Sequence, residues 1–209
     1  MENDLFQQVD GGASPTSPLQ LCFKKIDSKT ANELVFKNHY AHRKVPISWA
    51  FGAYWNNNLV GAITFGKPVS FTLCEGSVGK ENAKFVFELN RLWMSDVCPK
   101  NSESRFIGWA IRELRKTNPN LILVSFADTA QNHTGGIYRA TGWIYTGLSA
   151  KRTDAIQDIG NKHASRHTCV AGLPQKPRSR KHRYFYFLNK EDIKLLKYPI
   201  EQHSLKRVE

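Results

Sequence analysis

The chain has no apolar run that approaches the length of a membrane-spanning helix. Its opening Met1-Glu2-Asn3-Asp4 also lacks the basic patch and apolar stretch of a secretory leader, so a cytoplasmic protein with no membrane partner is expected. Cysteine is sparse. Cys22, Cys74, Cys98 and Cys169 lie far apart with no C-x-x-C pair, which signals neither a zinc site nor a disulfide frame and predicts reduced thiols. Acidic residues are the other shortage: 18 Asp+Glu face 30 Lys+Arg, a formal net charge of +12. That excess favours a polyanionic partner, nucleic acid ahead of an anionic membrane surface, over a merely soluble basic protein. The shortage is also local, because no acid occurs between Asp158 and Glu191 while Lys162, Arg166, Lys176, Arg178, Arg180, Lys181 and Arg183 accumulate.

A chain of 209 residues is most simply one domain with its own core. Residues 1–18, rich in Gly, Ser and Pro, predict a flexible N-terminal arm, and residues 19–209 a single domain. Residues 19–26 read as a first strand, and Thr30-Ala31-Asn32-Glu33 fits a capping box opening a helix that runs to Asn38. His39-Tyr40-Ala41-His42-Arg43-Lys44 then leave that helix as a loop, since Pro46 keeps Val45 out of helical geometry. Residues 49–55 and 59–65 flank the turn signal Asn56-Asn57-Asn58, which predicts an antiparallel hairpin. After a polar loop containing Gly76 and Gly79, residues 84–94 read as a long strand. Alternation puts Phe85, Phe87, Leu89, Arg91 and Trp93 on one face and Val86, Glu88, Asn90, Leu92 and Met94 on the other. Glu88 and Arg91 leave two readings open, a wet strand face or a polar site. Phe106, Ile107, Ala110, Ile111 and Leu114 make one helical stripe, with Asn101 or Ser102 to cap its start.

The stretch from Ser125 to Gly147 organises the rest. An apolar run from Leu121 to Ala127 predicts a buried strand, and it stops at Asp128, where open sheets bind ligands beyond the carboxyl ends of their strands. Polar Thr129, Gln131, Asn132 and His133 follow. One helical turn through Ile137-Tyr138-Arg139-Ala140, with an outward tyrosine, a left-handed Gly142 and a strand at Trp143-Ile144-Tyr145 complete the unit. Residues 149–183 predict an irregular basic insertion that feeds the aromatic strand Tyr184-Phe185-Tyr186-Phe187-Leu188. Charge and rings together suit a nucleic acid, or the strand simply enters the core. The element order predicts an α+β (mixed α/β) class, a central mixed sheet flanked by helices.

That order resembles the GNAT acyltransferase fold, although Cys98 to Arg105 carries no glycine-rich R/Q-x-x-G-x-G/A segment for coenzyme A. A second resemblance is more specific. His39-Tyr40, Glu88-Leu89-Asn90-Arg91-Leu92-Trp93, Pro99-Lys100-Asn101-Ser102-Glu103-Ser104, Ser125-Phe126-Ala127-Asp128 and Gly136-Ile137-Tyr138-Arg139-Ala140-Thr141-Gly142-Trp143 occur in the order of the Mom family of phage DNA-modification proteins. The resemblance implies a GNAT-like enzyme that converts adenine in phage DNA to N6-carbamoylmethyladenine and so blocks host restriction.

It further implies an active centre of His39, Tyr40, Asp128 and Tyr138, associated with iron. Imidazole, carboxylate and phenolate suit oxidised iron. Asp128 is left as ligand, as base for the adenine amine, or as the cap of the next turn. Arg91, Asn101, Ser102 and Ser104 are expected to hold the donor by ionic contact and helix-start hydrogen bonds. Arg178, Arg180, Lys181 and Arg183, assisted by Arg43 and Lys44, are expected to grip double-stranded DNA. Adenine N6 lies inside the base pair, so the nucleotide must be extruded or the strand opened, with Trp49, Phe51 and Trp93 as stacking candidates. A glycyl group, N6-CO-CH2-NH2, has the atoms of the family's product, so an activated glycine such as glycyl-tRNA is the expected donor, with acetyl-CoA as its competitor. The same positive surface suits a tRNA, and a homodimer is left open. An ordinary N-acetyltransferase and a non-catalytic DNA-binding protein remain the alternatives.

Overall fold

The computed structural model describes residues 14–40, 42–155 and 174–202. Most of the expected N-terminal arm, and Lys162, Arg166 and Cys169 in the basic insertion, lie outside the described residues. A seven-stranded sheet holds β1 (Cys22–Lys25), β2 (Trp49–Trp55), β3 (Asn58–Gly66), β4 (Val86–Met94), β5 (Ile122–Asp128), β6 (Ile144–Leu148) and β9 (Lys181–Phe187) in the order β1-β2-β3-β4-β5-β9-β6. The β4–β5 pair is parallel and the rest antiparallel. The sheet is mixed, as the sequence predicts.

Its two faces are covered by different helices. Phe106, Ile107, Ala110, Ile111 and Leu114 of α3 (Ser102–Thr117) pack with Phe51, Phe65, Leu89 and Leu123, and the short α4 (Gly136–Ala140) adds Tyr138 to the same cluster. On the other face α1 (Ser28–Asn38) sets Leu34 and Val35 against Ala62 and Trp93. Beside it, α2 (Phe71–Val78) sets Cys74 and Val78 against Val86, Ile122 and Val124.

Four local expectations need correction. Helix α1 starts two residues before Thr30: Asp27 is its cap, accepting from the Thr30 N–H at 2.9 Å and from the Thr30 hydroxyl at 2.7 Å. The polar loop holding Gly76 is helix α2, in which Ser70 caps the start and the buried Cys74, Ser77 and Val78 fall at helical spacing. Packing on the sheet outweighs the low propensities of Thr72 and Gly76. Neither Asn101 nor Ser102 caps α3 with its side chain; Asn101 sits at φ 71, and the buried Ser102 hydroxyl donates to the Pro99 carbonyl at 2.6 Å. The expected irregular insertion contains an antiparallel pair, β7 (Thr153–Ala155) with β8 (Gln175–Pro177).

The alternation assigned to β4 also fails midway. Thr64 pairs with Arg91 but Phe65 pairs with Leu89, so Asn90 is the extra residue of a bulge. Asn90 turns its amide to use, accepting from the Thr64 hydroxyl and donating to the Pro46 carbonyl. Past the bulge the faces swap: Leu92 and Met94 join Leu89 against α3, while Trp93 packs toward α1.

Candidate active site

Strands β4 and β5 pair only through Val86–Ile122, Phe87–Leu123 and Glu88–Val124. Beyond Glu88 they part. The end of β5 is held by β9, with Asp128 opposite Lys181, and the end of β4 is held by β3, with Met94 opposite Gly61. A wedge therefore opens through the sheet at the bulge, and a cavity of about 730 Å³ fills it. Glu88 and Arg91 stand on one wall and Ser125 and Ala127 on the other. Of the two readings of these charged residues, the structure has both lining this cavity.

His39 and Tyr40 reach this cavity from the end of α1, and Tyr138 reaches it from α4. The His39 and Tyr40 rings stack with centroids 4.2 Å apart, and Tyr40 meets His133 edge-on at 5.8 Å. Burial and the neighbouring cations, Arg91 foremost, push the His39 imidazolium down to about 4, so the ring is neutral at pH 7. Tyr40 is raised, by burial first and then by Asp128.

Tyr138 corrects an expectation, for it points inward. It is buried, with its hydroxyl 2.8 Å from the Ser125 hydroxyl, and burial pushes it up to about 12. Trp143 and Tyr184 pack on its ring. Two left-handed glycines frame it: Gly142 at φ 78 follows α4, and Gly135 at φ 74 lies so close to the Tyr184 ring that a Cβ there would overlap it.

Asp128 sits at the end of β5 beside the cavity. One carboxylate oxygen accepts from the Ala130 N–H at 3.0 Å, capping the turn Thr129–Gln131, and the other pairs with the Lys181 ammonium at 3.1 Å. Burial pushes the carboxyl up, but hydrogen bonds from Ser179, Ala130 and Lys181 outweigh it and leave Asp128 below its ordinary range. Glu88 is the opposite case. It is half-buried where the strands part, and burial pushes it up to about 7 against the opposing pull of Arg91 and Lys181. Arg91 donates to the Asn90 carbonyl at 2.6 Å, and its buried Nε has no partner among the described residues.

The residues expected to hold a donor separate. Arg91 lines the wedge, together with Glu103 from the start of α3, but Asn101, Ser102 and Ser104 do not. The Ser104 hydroxyl donates to the Asn101 carbonyl at 3.0 Å, and Ser104 lines a pocket on another side of α3. The basic residues separate as well. Arg43, Lys44 and Arg178 are exposed. Arg180 donates to the Ser149 carbonyl, and Arg183 donates to Thr146 while lying 3.6 Å over the Tyr198 ring. Of the stacking candidates Phe51 is core, Trp49 packs on Phe87 and Trp93 lines the wedge.

The residues present do not fit an iron site. The Tyr138 hydroxyl is turned onto Ser125, both Asp128 oxygens are engaged, and among the described residues no group of three His, Cys, Asp or Glu side chains is arranged to hold a metal ion. Glu88, which the sequence leaves open between a wet strand face and a polar site, lines the wedge, and so do Asn132 and His133 of the polar loop, to which the sequence assigns no role.

Among solved structures, a putative acetyltransferase, yncA, from Salmonella typhimurium, described with its cofactor acetyl-CoA, aligns at a TM-score of 0.51 with 11% identity, over 82% of this chain and 95% of that one. At that identity the likeness concerns the fold, and the GNAT-like expectation holds. By sequence, the chain is 30% identical over 130 residues to the methylcarbamoylase mom of Escherichia phage Mu, over 61% of this chain and 54% of the relative. The chain thus spans about half the length of the curated relative it matches. No helix among the described residues is long and apolar enough to cross a membrane. The model of the Mom protein family matches residues 20–204, and the chain belongs to that family.

Proposed function

We propose that the chain is a transferase that modifies the N6 amine of adenine in DNA, with the wedge between β4 and β5 as its reaction chamber and Glu88 as its base. The observation that carries this reading is Glu88 itself, a carboxyl raised to about 7 at the point where the strands part. A base poised near the working pH is the most effective proton acceptor, and an arylamine needs one as it attacks a carbonyl. Asp128, held low and paired with Lys181, keeps the Lys181 cation at the chamber wall instead. Arg91, whose guanidinium lines the chamber, opposes the negative charge that develops on the carbonyl oxygen. Neutral His39 and protonated Tyr138 bound the chamber without adding charge.

The donor consistent with the relative's name as a methylcarbamoylase is an activated glycine, a glycyl ester R-O-CO-CH2-NH2 such as an aminoacylated tRNA. The amine nitrogen bonds to the ester carbonyl, Glu88 takes the amine proton, the C–O bond to R breaks, and the departing alkoxide collects the proton as R-OH. The product, C6-NH-CO-CH2-NH2, is an isomer of carbamoylmethyladenine. Attack of its free amine on C6, followed by cleavage of the original C6–N6 bond, gives C6-NH-CH2-CO-NH2 with no atom gained or lost. The modified base then resists restriction of the DNA that carries it. A net charge of +12 supplies attraction for both DNA and a tRNA donor.

Mass spectrometry of nucleosides from cells expressing the wild type and Glu88→Gln, fed isotope-labelled glycine or labelled acetate, tests the reading. Modified adenine carrying glycine carbon and nitrogen, and absent from the variant, is expected. Unmodified DNA in wild-type cells overturns the activity, and acetate carbon without glycine nitrogen overturns the donor.

A further inference from the structure

We propose that a second pocket, on the α2 side of the sheet, receives the target adenine after it leaves the DNA stack, and that the exposed Val69 at its rim and Phe71, two residues on at the start of α2, fill the gap left behind. This inference deepens the reading above and rests on it for the identity of the base.

The pocket measures about 360 Å³ and shares Glu88, Phe126 and Lys181 with the reaction chamber, so the two are separated only by the wall on which the proposed base sits. A group entering here approaches Glu88 from the face opposite α3, and the larger chamber stays free for the donor. The charge at the mouth is one-sided. Arg152, Arg178, Lys181 and Arg183 line it and Glu88 is the one acid among its lining residues, an arrangement that attracts phosphates and guides a base toward the carboxylate. Phe126 offers a ring to the base.

The rim is the second observation. Val69, which lines the basic mouth, is 78% exposed, and Phe71, which opens α2 two residues later, is 65% exposed. Among the described residues α2 packs through Leu73, Cys74 and Val78, and neither Val69 nor Phe71 joins that cluster. Proteins that open a base stack insert apolar side chains of this kind between base steps, and enzymes that act on a base inside a duplex must hold it outside the stack. Cationic mouth, apolar wedge and shared acid together favour duplex DNA over a single-stranded or protein partner.

The test uses the full chain and a duplex oligonucleotide carrying 2-aminopurine at the target position, read by its fluorescence and by anisotropy. Wild-type protein is expected to raise the fluorescence as the base leaves the stack. Phe71→Ser, an exposed substitution that leaves the core intact, is expected to cut that rise about tenfold or more while duplex affinity changes less than about threefold, because phosphate contacts dominate affinity. Arg152→Gln with Arg178→Gln is expected to weaken duplex binding and flatten its salt dependence. No rise with wild type, or a rise that Phe71→Ser keeps, overturns the proposal, as does a signal removed by competing tRNA but not by competing duplex. The fluorescence needs no donor and no chemistry, so it decides the pocket even where labelled-nucleoside analysis has refuted transfer.

Discussion

Replacing Glu88 with glutamine should stabilise the protein above neutral pH and abolish transfer, and the size of the first effect follows from the placement of one carboxyl. Its ordinary value is 4.5, and burial between β4 and β5 pushes it up to about 7. Between those two pH values the folded protein keeps a proton that the unfolded chain releases. The contribution is therefore fully present below pH 4.5, is lost as pH rises through about 7, and is constant beyond. Integrated over that window at 1.36 kcal/mol per pH unit, the folded state loses roughly 3 kcal/mol by about pH 8. In a chain of this length that corresponds to roughly 6–12 °C in Tm. Glutamine fills the same space and does not ionise, so Glu88→Gln escapes the loss. Urea denaturation of wild type and variant at about pH 5 and about pH 8 should give curves that diverge with pH, the variant gaining most of the roughly 3 kcal/mol at the higher value. Curves that stay parallel would refute the buried carboxyl, and full activity in the variant would refute its role as base.

The neighbours of Glu88 yield further outcomes. Lys181 holds the Glu88 carboxyl down, so in Lys181→Met the acid limb of the pH–rate profile, centred at about 7 in the wild type, should move to higher pH; an unmoved limb would detach Glu88 from the chemistry. Tyr138→Phe removes a buried contact of 2.8 Å to Ser125 and should cost about 1–2 kcal/mol in denaturant, while kcat falls by far less than the roughly 100-fold expected for loss of a general acid. Gly135→Ala combines φ 74 with a clash against the Tyr184 ring and should cost at least about 2 kcal/mol in thermal unfolding; a neutral result would contradict the close approach of α4 to β9.

What the sequence makes legible follows period and punctuation. The β2–β3 hairpin turns at Asn56 and Asn57, both at positive φ, as the asparagine run predicts, and the α3 stripe is buried residue for residue. Helix α2 is not legible because Thr72, Cys74 and Gly76 carry little helical preference, and only the sheet beneath gives Cys74 and Val78 a reason to share a face. The bulge at Asn90 is not legible either, for it arises from pairing with β3, and one extra residue re-aims everything after it. The site suffers most from this. Strict alternation puts Arg91 and Glu88 on opposite faces, whereas bulge and parting strands bring both onto one cavity. His39, Tyr40 and Tyr138 do meet at that cavity, though they come from helix ends about 100 residues apart, a juxtaposition that spacing alone does not encode.

The two carboxylates beside the wedge show why residue type alone leaves a role undetermined. Asp128 is in contact with the Lys181 ammonium, and Glu88 lines the cavity that Lys181 also lines. Three hydrogen-bond donors reach Asp128 and carry it below its ordinary range, so it is ionised throughout the neutral region and its stabilisation is lost only as pH falls into acid. At Glu88 burial outweighs the pull of Arg91 and Lys181 and carries it the other way, so its ionisation falls at working pH. A group ionised throughout the neutral region holds a cation well but is too weak a base to take up a proton there, whereas one that titrates near neutrality can take a proton and release it each cycle. Burial where the strands part is thus what makes an ordinary glutamate usable as a base, and the lysine that binds the aspartate limits how far that glutamate rises.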